Sequence, residues 1–282
     1  SMGLLWCADE HYRLDKTGYF LLHDDMASTN LNFIHDVCYQ GLFELESALK
    51  QGKAAGLKHL GDWDTIYPGL SQLPEQTKKS WFDFDHYYSD HAFNSLLPII
   101  FKSKPAHIID VGGNTGKWAL ACTAYDANVN VTIMDLPGQL AIAMQNAQKN
   151  NVADRVHCFE TNLLDHQQPF YQGGDLYWMS QFLDCFSKTE IAQILARTVA
   201  AMNPHSELCI LETYWDRQPN EAGAYCINAT SLYFTAIANG NSRMYHSKDM
   251  LKLIYDAGLY IDEDIDNIGL GHTLFKCKVK HK

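Results

Sequence analysis

The clearest structural signal in this 282-residue chain is Ile108-Ile109-Asp110-Val111-Gly112-Gly113-Asn114-Thr115-Gly116-Lys117. It begins in a short β-rich run and ends where a helical pattern opens, which is typical of the first βα turn of a parallel sheet. Glycines at such a turn let backbone amides approach a ligand that any Cβ would obstruct. The stretch therefore predicts a ligand-binding loop at the start of an α/β domain.

The sequence around this loop alternates between strand and helix patterns. We predict seven strands, at 106–111, 129–134, 155–160, 176–179, 208–212, 260–265 and 273–279. We predict helices at 116–125, 137–150, 188–202, 221–239 and 247–257. This alternation indicates an α/β fold over residues 103–282, with a mostly parallel, doubly wound sheet, helices on both faces and a closing antiparallel pair.

Residues 1–102 are aromatic and irregular by comparison. The runs 12–14 and 19–22, joined through Lys16-Thr17-Gly18, predict a β-hairpin. Apolar residues at helical spacing predict an amphipathic helix over 32–50, and a second helix over 89–101 with a possible kink at Pro98. Residues 61–78 are rich in Gly, Pro and Ser and predict loops and short turns.

Composition excludes several classes of function. The chain has 33 acidic and 22 basic residues and a net charge of −11, which argues against a nucleic-acid partner and against an anionic membrane surface. No run of about 18 apolar residues is present to span a bilayer. The eight cysteines are scattered and never form CxxC, which favours free thiols in a reducing cytoplasm over disulfides or zinc. No His, Cys or Asp cluster has metal-ligand spacing, so no metal is expected.

Three kinds of ligand compete for the glycine loop. A phosphate-binding GxxxxGK[ST] loop fails, because Val111 stands where its first glycine is needed and Trp118 follows Lys117. A dinucleotide loop is closer, but the carboxylate of Asp110 would repel a pyrophosphate. That carboxylate suits a ligand that brings a cation, such as the ammonium of S-adenosylmethionine.

A second acid supports a nucleoside ligand. Asp135 follows Asp110 by 25 residues, at the end of the second predicted strand, where a carboxylate accepts hydrogen bonds from both ribose hydroxyls. NAD enzymes share this acid, so the combination of loop and acid favours S-adenosylmethionine while NAD stays an alternative. A third alternative is a tight turn followed by a helix cap, with no ligand.

Several segments together resemble the hydroxyindole and caffeic-acid type O-methyltransferases. They are Asp110–Gly116, Asp135-Leu136-Pro137, the strand at 156–160 and Gln181-Phe182-Leu183-Asp184-Cys185-Phe186-Ser187. The resemblance implies a Rossmann-like seven-stranded catalytic domain over 103–282. It also implies a partial winged-helix-like, mainly α-helical dimerisation region over 1–102, shortened at its N-terminus, with residues 12–18 as the wing. A homodimer is expected, weakened by that shortening.

The resemblance also assigns a cofactor site for S-adenosylmethionine, with S-adenosylhomocysteine as product. Asp135 would hold the ribose, Leu136 and Leu163 would pack on the adenine, and Asn162 would accept from its amino group where the family carries Asp. The full implied set is Asp110, Gly112, Gly113, Gly116, Asp135, Leu136, Asn162, Leu163, Gln181, Tyr88 and Tyr67. For the two tyrosines, core packing is the alternative.

The family's catalytic histidine is absent. Members normally carry Leu-His-Asp-Trp after the fourth strand, where the His deprotonates the acceptor hydroxyl, but this chain has Leu183-Asp184-Cys185-Phe186. Asp184 is therefore the candidate base, and Glu212, at the end of the fifth strand, would face the substrate. The alternative for Asp184 is an acid at a helix start, because Ser187 and Glu190 predict a capping box. Other candidate bases are His86, His91 and His246.

The sequence thus favours a methyltransferase that acts on a hydroxyl of a small aromatic or polyketide-like molecule. N- or C-methylation and cofactor binding without transfer are alternatives within the class. An NAD(P)-dependent reductase and a winged-helix ligand-sensing regulator are alternatives outside it. The acceptor pocket would be lined by a segment that contains Tyr225, Tyr233, Phe234 and Met244. The alternative for this segment is a core helix.

Overall fold

A seven-stranded sheet organises the C-terminal part of the computed structural model, which describes residues 2–280. Its strands are β3 (His107–Val111), β4 (Asn130–Asp135), β5 (Val156–Glu160), β6 (Leu176–Ser180), β7 (Glu207–Glu212), β8 (Leu259–Ile268) and β9 (His272–Val279). Their spatial order is β5-β4-β3-β6-β7-β9-β8, with β3 to β7 parallel and β9 antiparallel to both neighbours. The predicted seven-stranded α/β sheet and its antiparallel closing pair are confirmed.

Helices cover both faces of this sheet. They are α5 (Lys117–Tyr125), α6 (Pro137–Lys149), α7 (Lys188–Ala201) and α9 (Ser247–Asp256), whereas α8 (Glu221–Tyr233) packs on the N-terminal region. Neighbouring residues of β3 alternate between two cores, since Ile108 packs with α5 and α6 and Ile109 packs with α7 and α9. Ser187 and Glu190 form the predicted capping box of α7.

The N-terminal hairpin lies earlier than the sequence predicts. It pairs β1 (Leu5–Ala8) with β2 (His11–Leu14), and Asp9 and Glu10 form its turn with φ of 51° and 61°. Two left-handed residues match the twist of a tight hairpin, and no glycine marks them in the sequence. The prediction that 19–22 is a strand was wrong, because these residues lie in helix α1 (Lys16–His23).

The predicted helix over 32–50 is interrupted. Helix α2 (Asp25–Phe33) passes into a π-helical turn at Ile34–Cys38 and then a 3₁₀-helical turn at Gly41–Glu44, before α3 (Leu45–Gln51) begins. Gly41 and Gly56 cross so closely that a Cβ on Gly56 would lie 2.2 Å from the Gly41 carbonyl oxygen. The chain bends at this crossing, which its helical periodicity does not reveal.

The long helix α4 (Glu75–Ile100) connects the N-terminal region to β3 and begins 14 residues before the predicted start at 89. Pro98 lies within its last turn. The N-terminal region also packs on the end of α8, where Phe33, Leu57 and Leu70 share a core with Phe234. This region is mainly helical, as expected. Over residues 2–280, no helix combines the length and apolarity needed to cross a membrane.

Candidate active site

The glycine loop between β3 and α5 is shaped by the chain's own side chains. Gly112 and Gly116 have φ of +74° and +79°, which favours glycine. A Cβ on Gly112 would lie 2.2 Å from the ring of Phe182, and one on Gly113 would lie 2.5 Å from Asp110 Oδ2. These glycines are therefore required by packing as well as by any ligand.

Asp110 lies directly beneath this loop. Its side chain is 3% exposed, and Oδ2 has no hydrogen-bond partner. Burial and the charge of Asp135 raise its pKa to about 8, so a large fraction of it is protonated at neutral pH. An unpartnered buried carboxyl oxygen is costly unless a ligand donates to it.

Asp135 ends β4 and ties two loops together. Its Oδ2 accepts the backbone N–H of Asn114 at 2.8 Å, and its Oδ1 accepts that of Leu136 at 2.7 Å. Burial raises its pKa to about 6, and these two hydrogen bonds limit the rise. Each carboxylate oxygen keeps a further lone pair, so Asp135 can still accept from a ligand hydroxyl.

Asn114 joins Asp135 to Asp85, an acid of α4 that sequence reasoning missed. Asn114 has φ +51° and its Nδ2 donates to Asp85 Oδ2 at 3.2 Å. Burial, followed by the charge of Asp184, raises the pKa of Asp85 to about 7. The helical spacing of the sequence contained a signal for Asp85. It precedes the fully buried Ala92 and Leu96 by seven and eleven residues, so it continues the buried stripe of α4.

Of the three histidines considered as bases, only His86 contacts the glycine loop. Its Nε2 lies 3.2 Å from Thr115 Oγ1, and burial lowers its pKa to about 4, which keeps it neutral. His91 is exposed and pairs with a backbone carbonyl of its own helix. His246 caps α9 by accepting the N–H of Lys248.

Asp184 and Glu212 lie together, on the turn Leu183–Cys185 after β6 and at the end of β7. Glu212 is 1% exposed, and its Oε1 accepts the backbone N–H groups of Phe182 at 3.0 Å and Leu183 at 2.7 Å. Its Oε2 has no partner. Glu212 thus holds the turn that presents Asp184.

The two acids have unequal affinities for a proton. Burial raises the pKa of Asp184 to about 6. The hydrogen bond that Cys185 Sγ–H donates to Asp184 Oδ1 at 3.5 Å opposes this rise. Burial and the charge of Asp184 raise the pKa of Glu212 well above its usual range. Asp184 therefore ionises first and Glu212 keeps its proton.

Gln181 starts the turn with a left-handed backbone, φ +47°, and its Oε1 accepts from His272 Nε2 at 2.9 Å. His272 is fully buried, and burial lowers its pKa to about 4, so the neutral ring donates this hydrogen bond. Sequence reasoning missed His272, because it lies 91 residues away at the start of an antiparallel strand.

The remaining predicted cofactor residues divide into two groups. Tyr67 joins the cluster, because its hydroxyl lies 3.4 Å from Asn239 Nδ2, which also donates to the carbonyl oxygen of Cys185. Tyr88 instead bonds Asn30 of α2.

The two residues after β5 are engaged with their own chain. Asn162 Oδ1 accepts the backbone N–H of Leu164 in a local turn. The backbone N–H of the preceding residue, Thr161, donates to the carbonyl oxygen of Asp135. Leu163 is packed in the core. The adenine contacts expected of Asn162 and Leu163 stay predictions.

The predicted acceptor-pocket residues are mostly core residues. Tyr233, Phe234 and Met244 are buried in the core shared with the N-terminal region, and Tyr225 is 75% exposed. Tyr233 keeps a polar contact, since Trp81 Nε1 donates to its hydroxyl at 2.8 Å. The core alternative therefore describes Phe234 and Met244.

Several curated proteins are similar to this chain in sequence. The O-methyltransferase SfmM3 of Streptomyces lavendulae is 20% identical over 183 residues, which are 64% of this chain and 54% of that protein. This chain spans about half or less of the length of the curated relatives that it matches.

Solved structures show the same fold. The mitomycin 7-O-methyltransferase MmcR superposes with a TM-score of 0.76 at 16% identity, covering 96% of this chain and 78% of MmcR. NcsB1, an O-methyltransferase of neocarzinostatin biosynthesis, superposes with a TM-score of 0.76 at 18% identity, covering 99% of this chain and 81% of NcsB1.

A family model decides the classification. The model of the O-methyltransferase domain matches residues 94–260, which is more than half of the chain. The matched segment begins in α4, includes the glycine loop, Asp135, Asp184 and Glu212, and ends in β8. The chain therefore belongs to the O-methyltransferase domain family.

Proposed function

We propose that this chain is an S-adenosylmethionine-dependent methyltransferase that methylates a hydroxyl group of a small aromatic or polyketide-like molecule. The observation that carries the proposal is the unpartnered Asp110 beneath the glycine loop, with Asp135 at the next strand end. NcsB1, which shares the fold, was solved with S-adenosylmethionine and 2-hydroxy-5-methyl naphthoic acid.

The polar groups at and near the carboxyl ends of the parallel strands fit this cofactor. Three of the buried oxygen atoms without partners lie in strands that are neighbours or next neighbours, namely Asp110 Oδ2 in β3, Ser180 Oγ in β6 and Glu212 Oε2 in β7. S-adenosylmethionine presents ammonium and ribose hydroxyl donors, which carboxyl and hydroxyl oxygens accept. Asp135 and Asp110 would take these donors, and Leu136 would contact the adenine.

When bound, S-adenosylmethionine supplies an electrophilic methyl group on a sulfonium. The chain's own residues then have to align the acceptor oxygen, exclude water and remove its proton. Asp184, with a pKa raised to about 6, is a stronger base than an exposed aspartate. It still lies about four units below a phenol. Proton transfer to Asp184 therefore accompanies bond formation instead of preceding it.

Glu212 acts as a positioning residue in this scheme. Its Oε1 fixes the N–H groups of Phe182 and Leu183, so the turn carrying Asp184 has one orientation. Because Glu212 stays protonated, it adds no negative charge that would compete with Asp184 for the proton.

A homodimer formed through the N-terminal region is part of the proposal. Fourteen of the nineteen large hydrophobic side chains that are exposed among the described residues lie between residues 2 and 49. This concentration of exposed apolar side chains in one region is typical of an interaction surface. Exposed apolar residues without such a role occur singly and are distributed over the whole chain. Residues 1–102 would thus serve assembly, and residues 103–282 would form the catalytic domain.

We further propose a reducing compartment, such as the cytoplasm, as the place of action. All eight cysteines are free, and Cys38, Cys122, Cys209 and Cys277 are buried thiols. Such thiols persist where glutathione and thioredoxin keep them reduced.

Calorimetry with S-adenosylmethionine, S-adenosylhomocysteine and NADH tests the proposal. We expect micromolar binding of the first two and none of NADH. NADH binding without the sulfonium compound would overturn it. Turnover on a panel of phenols, amines and carbon acids, followed by mass spectrometry, then identifies the methylated atom, and cofactor binding with no turnover on the panel would favour a non-catalytic binder.

A further inference from the structure

The middle of the glycine loop is attached to α4 by two side-chain contacts. Asp85 Oδ2 accepts a hydrogen bond from Asn114 Nδ2 at 3.2 Å, and His86 Nε2 lies 3.2 Å from Thr115 Oγ1. The backbone N–H of Asn114 donates to Asp135 Oδ2 at 2.8 Å. Asn114 therefore connects an acid of α4 with the acid at the end of β4, through one side-chain and one backbone hydrogen bond.

The backbone of this loop adopts a conformation that needs support. Between Gly112 and Gly116 three residues are left-handed, and Asn114, with φ of +51°, is the one that carries a side chain. Asn visits this conformation more readily than most residues, because its short polar side chain forms local hydrogen bonds. Here the side chain instead reaches Asp85, which is 29 residues away in the sequence. A strained backbone persists where the surrounding structure holds it, and the loop glycines have no side chains with which to do so.

Asp85 orients the amide of Asn114. Within residues 2–280, the bond to Asp85 is the only hydrogen bond of the Asn114 side chain, since its Oδ1 is buried without a partner. A buried acceptor without a partner costs free energy, and the contact between Nδ2 and Asp85 offsets that cost. Loss of the Asp85 acceptor would leave both ends of the amide unpaired. The loop would then relax, and the N–H that Asn114 donates to Asp135 would move with it.

Asp85 lies on a part of α4 that is itself fixed. The Phe84 ring stacks on Phe33 of α2, with ring centroids 4.0 Å apart. Asn30 of α2 donates from Nδ2 to the Tyr88 hydroxyl at 2.7 Å. These contacts lie one residue before and three residues after Asp85, so the N-terminal region holds the segment of helix that carries this carboxylate.

Resting on the cofactor binding proposed above, we propose that Asp85 is a positioning residue for S-adenosylmethionine, which acts through Asn114 and does not touch the cofactor. The hydrogen bond from Asn114 holds the loop in its left-handed conformation, and that conformation keeps the Asn114 N–H on Asp135. Because the loop and the acid are ordered before the cofactor arrives, binding does not have to order them, which raises the affinity. The affinity for the cofactor therefore depends on a helix outside the loop and the strand ends that would contact it.

A double-mutant cycle on the full chain tests this inference, with the dissociation constant of S-adenosylhomocysteine measured by calorimetry. Asp85→Ala removes the acceptor, and Asn114→Gly removes the donor while it keeps a backbone that readily adopts φ of +51°. We expect each substitution to weaken binding roughly tenfold, as the loss of one hydrogen bond to a carboxylate implies. The double variant should be no more than about threefold weaker than either, whereas independent effects would multiply to roughly 100-fold. Multiplied effects overturn the inference, because Asp85 would then act without Asn114.

Two further substitutions separate the hydrogen bond from the charge. Asp85→Asn keeps a carbonyl oxygen that can accept from Asn114 Nδ2, so it should retain most of the affinity that Asp85→Ala loses. Asp83→Ala removes an acid from the same helix at an exposed site paired with Lys79, and should bind as the unsubstituted chain does. Equal losses in Asp85→Asn and Asp85→Ala, or a comparable loss in Asp83→Ala, would assign the effect to charge and overturn the inference.

Hydrogen exchange measures the same contact without a change in α4. In the cofactor-free chain the backbone N–H of residue 114 should be protected, and in Asn114→Gly it should exchange at least roughly tenfold faster relative to its intrinsic rate. Equal protection at this position overturns the inference even where Asp85→Ala fails to fold.

The outcomes for the two proposals are distinguishable. Absence of S-adenosylhomocysteine binding by the unsubstituted chain contradicts the cofactor site itself. Binding that Asp85→Ala or Asn114→Gly leaves unchanged contradicts only the positioning by Asp85.

Discussion

Glu212 Oε1 accepts the backbone N–H of Leu183 at 2.7 Å, from the last residue of β7 into the turn that carries Asp184. A second bond, from the N–H of Phe182, reaches the same oxygen at 3.0 Å. A fully buried carboxyl therefore satisfies two backbone donors that no other group of the sheet reaches. The orientation of the candidate base depends on a residue from the neighbouring strand.

This relationship predicts different consequences for two substitutions of Glu212. Glu212→Ala leaves two buried N–H groups unpaired and should lower the free energy of unfolding by roughly 2–4 kcal/mol. Glu212→Gln keeps an acceptor of the same shape and should cost less than about half of that, because the carboxyl it replaces is protonated. Urea denaturation of both variants measures this. Equal losses would contradict the role given to Oε1.

Asp184 is predicted to affect turnover and not cofactor binding. Asp184→Asn should reduce kcat by roughly 100-fold or more, as expected for loss of a general base. The affinity for S-adenosylhomocysteine should change by less than about threefold. Asp154→Asn, at an exposed site, is the charge-matched control and should behave as the parent. Unchanged kcat in Asp184→Asn would exclude Asp184 as the base.

The pH profile provides a second test of Asp184. Its pKa is raised to about 6, and a base must be ionised to act, so kcat should rise with pH through about 6 and level off above it. Below that midpoint kcat should fall about tenfold per pH unit. Residual activity of Asp184→Asn should lack this step, and a step that persists in the variant would assign it to another group.

How much of this arrangement could be predicted from sequence depends on how local each interaction is. The loop Gly112–Gly116 and Asp135 were predictable, because one strand and one turn place them. The hairpin at Leu5–Leu14 was misplaced because Asp9 and Glu10 adopt left-handed conformations without a glycine to mark the turn. Asp85 and His272 escaped prediction because their partners, Asn114 and Gln181, are 29 and 91 residues away.

Asp110 should make the stability of the folded protein depend on pH. Its folded pKa of about 8 exceeds the usual value of 3.8, so its contribution to stability is fully present below about pH 4 and is lost as pH rises through about 8. Asp110→Asn, which cannot ionise, should therefore melt higher than the parent at pH 8, with the difference vanishing near pH 4. The same variant should bind S-adenosylmethionine more weakly. A melting difference that is independent of pH would contradict the raised pKa.

Gly113 should not tolerate a side chain. A Cβ there would lie 2.5 Å from Asp110 Oδ2 and 2.8 Å from Ile133 Cγ2, so Gly113→Ala should cost roughly 1–3 kcal/mol of stability and weaken cofactor binding. Gly223 is the matched control, because a Cβ in its place within α8 meets nothing closer than 3.5 Å. Gly223→Ala should be neutral or stabilising by up to about 1 kcal/mol. Thermal melts and calorimetry on both variants decide whether the loop is as tightly packed as described.

The exposed apolar surface of the N-terminal region predicts a dimer that one charge can disrupt. The mass in solution should be twice 32.0 kDa by light scattering. Leu22 of α1 is 65% exposed, so Leu22→Asp should leave the monomer folded but shift the mass toward 32.0 kDa, because a charge would be buried in the interface. Tyr225 is 75% exposed on α8, outside that region, and Tyr225→Asp should stay dimeric. A monomeric parent, or dissociation of both variants alike, would remove the N-terminal interface from the proposal.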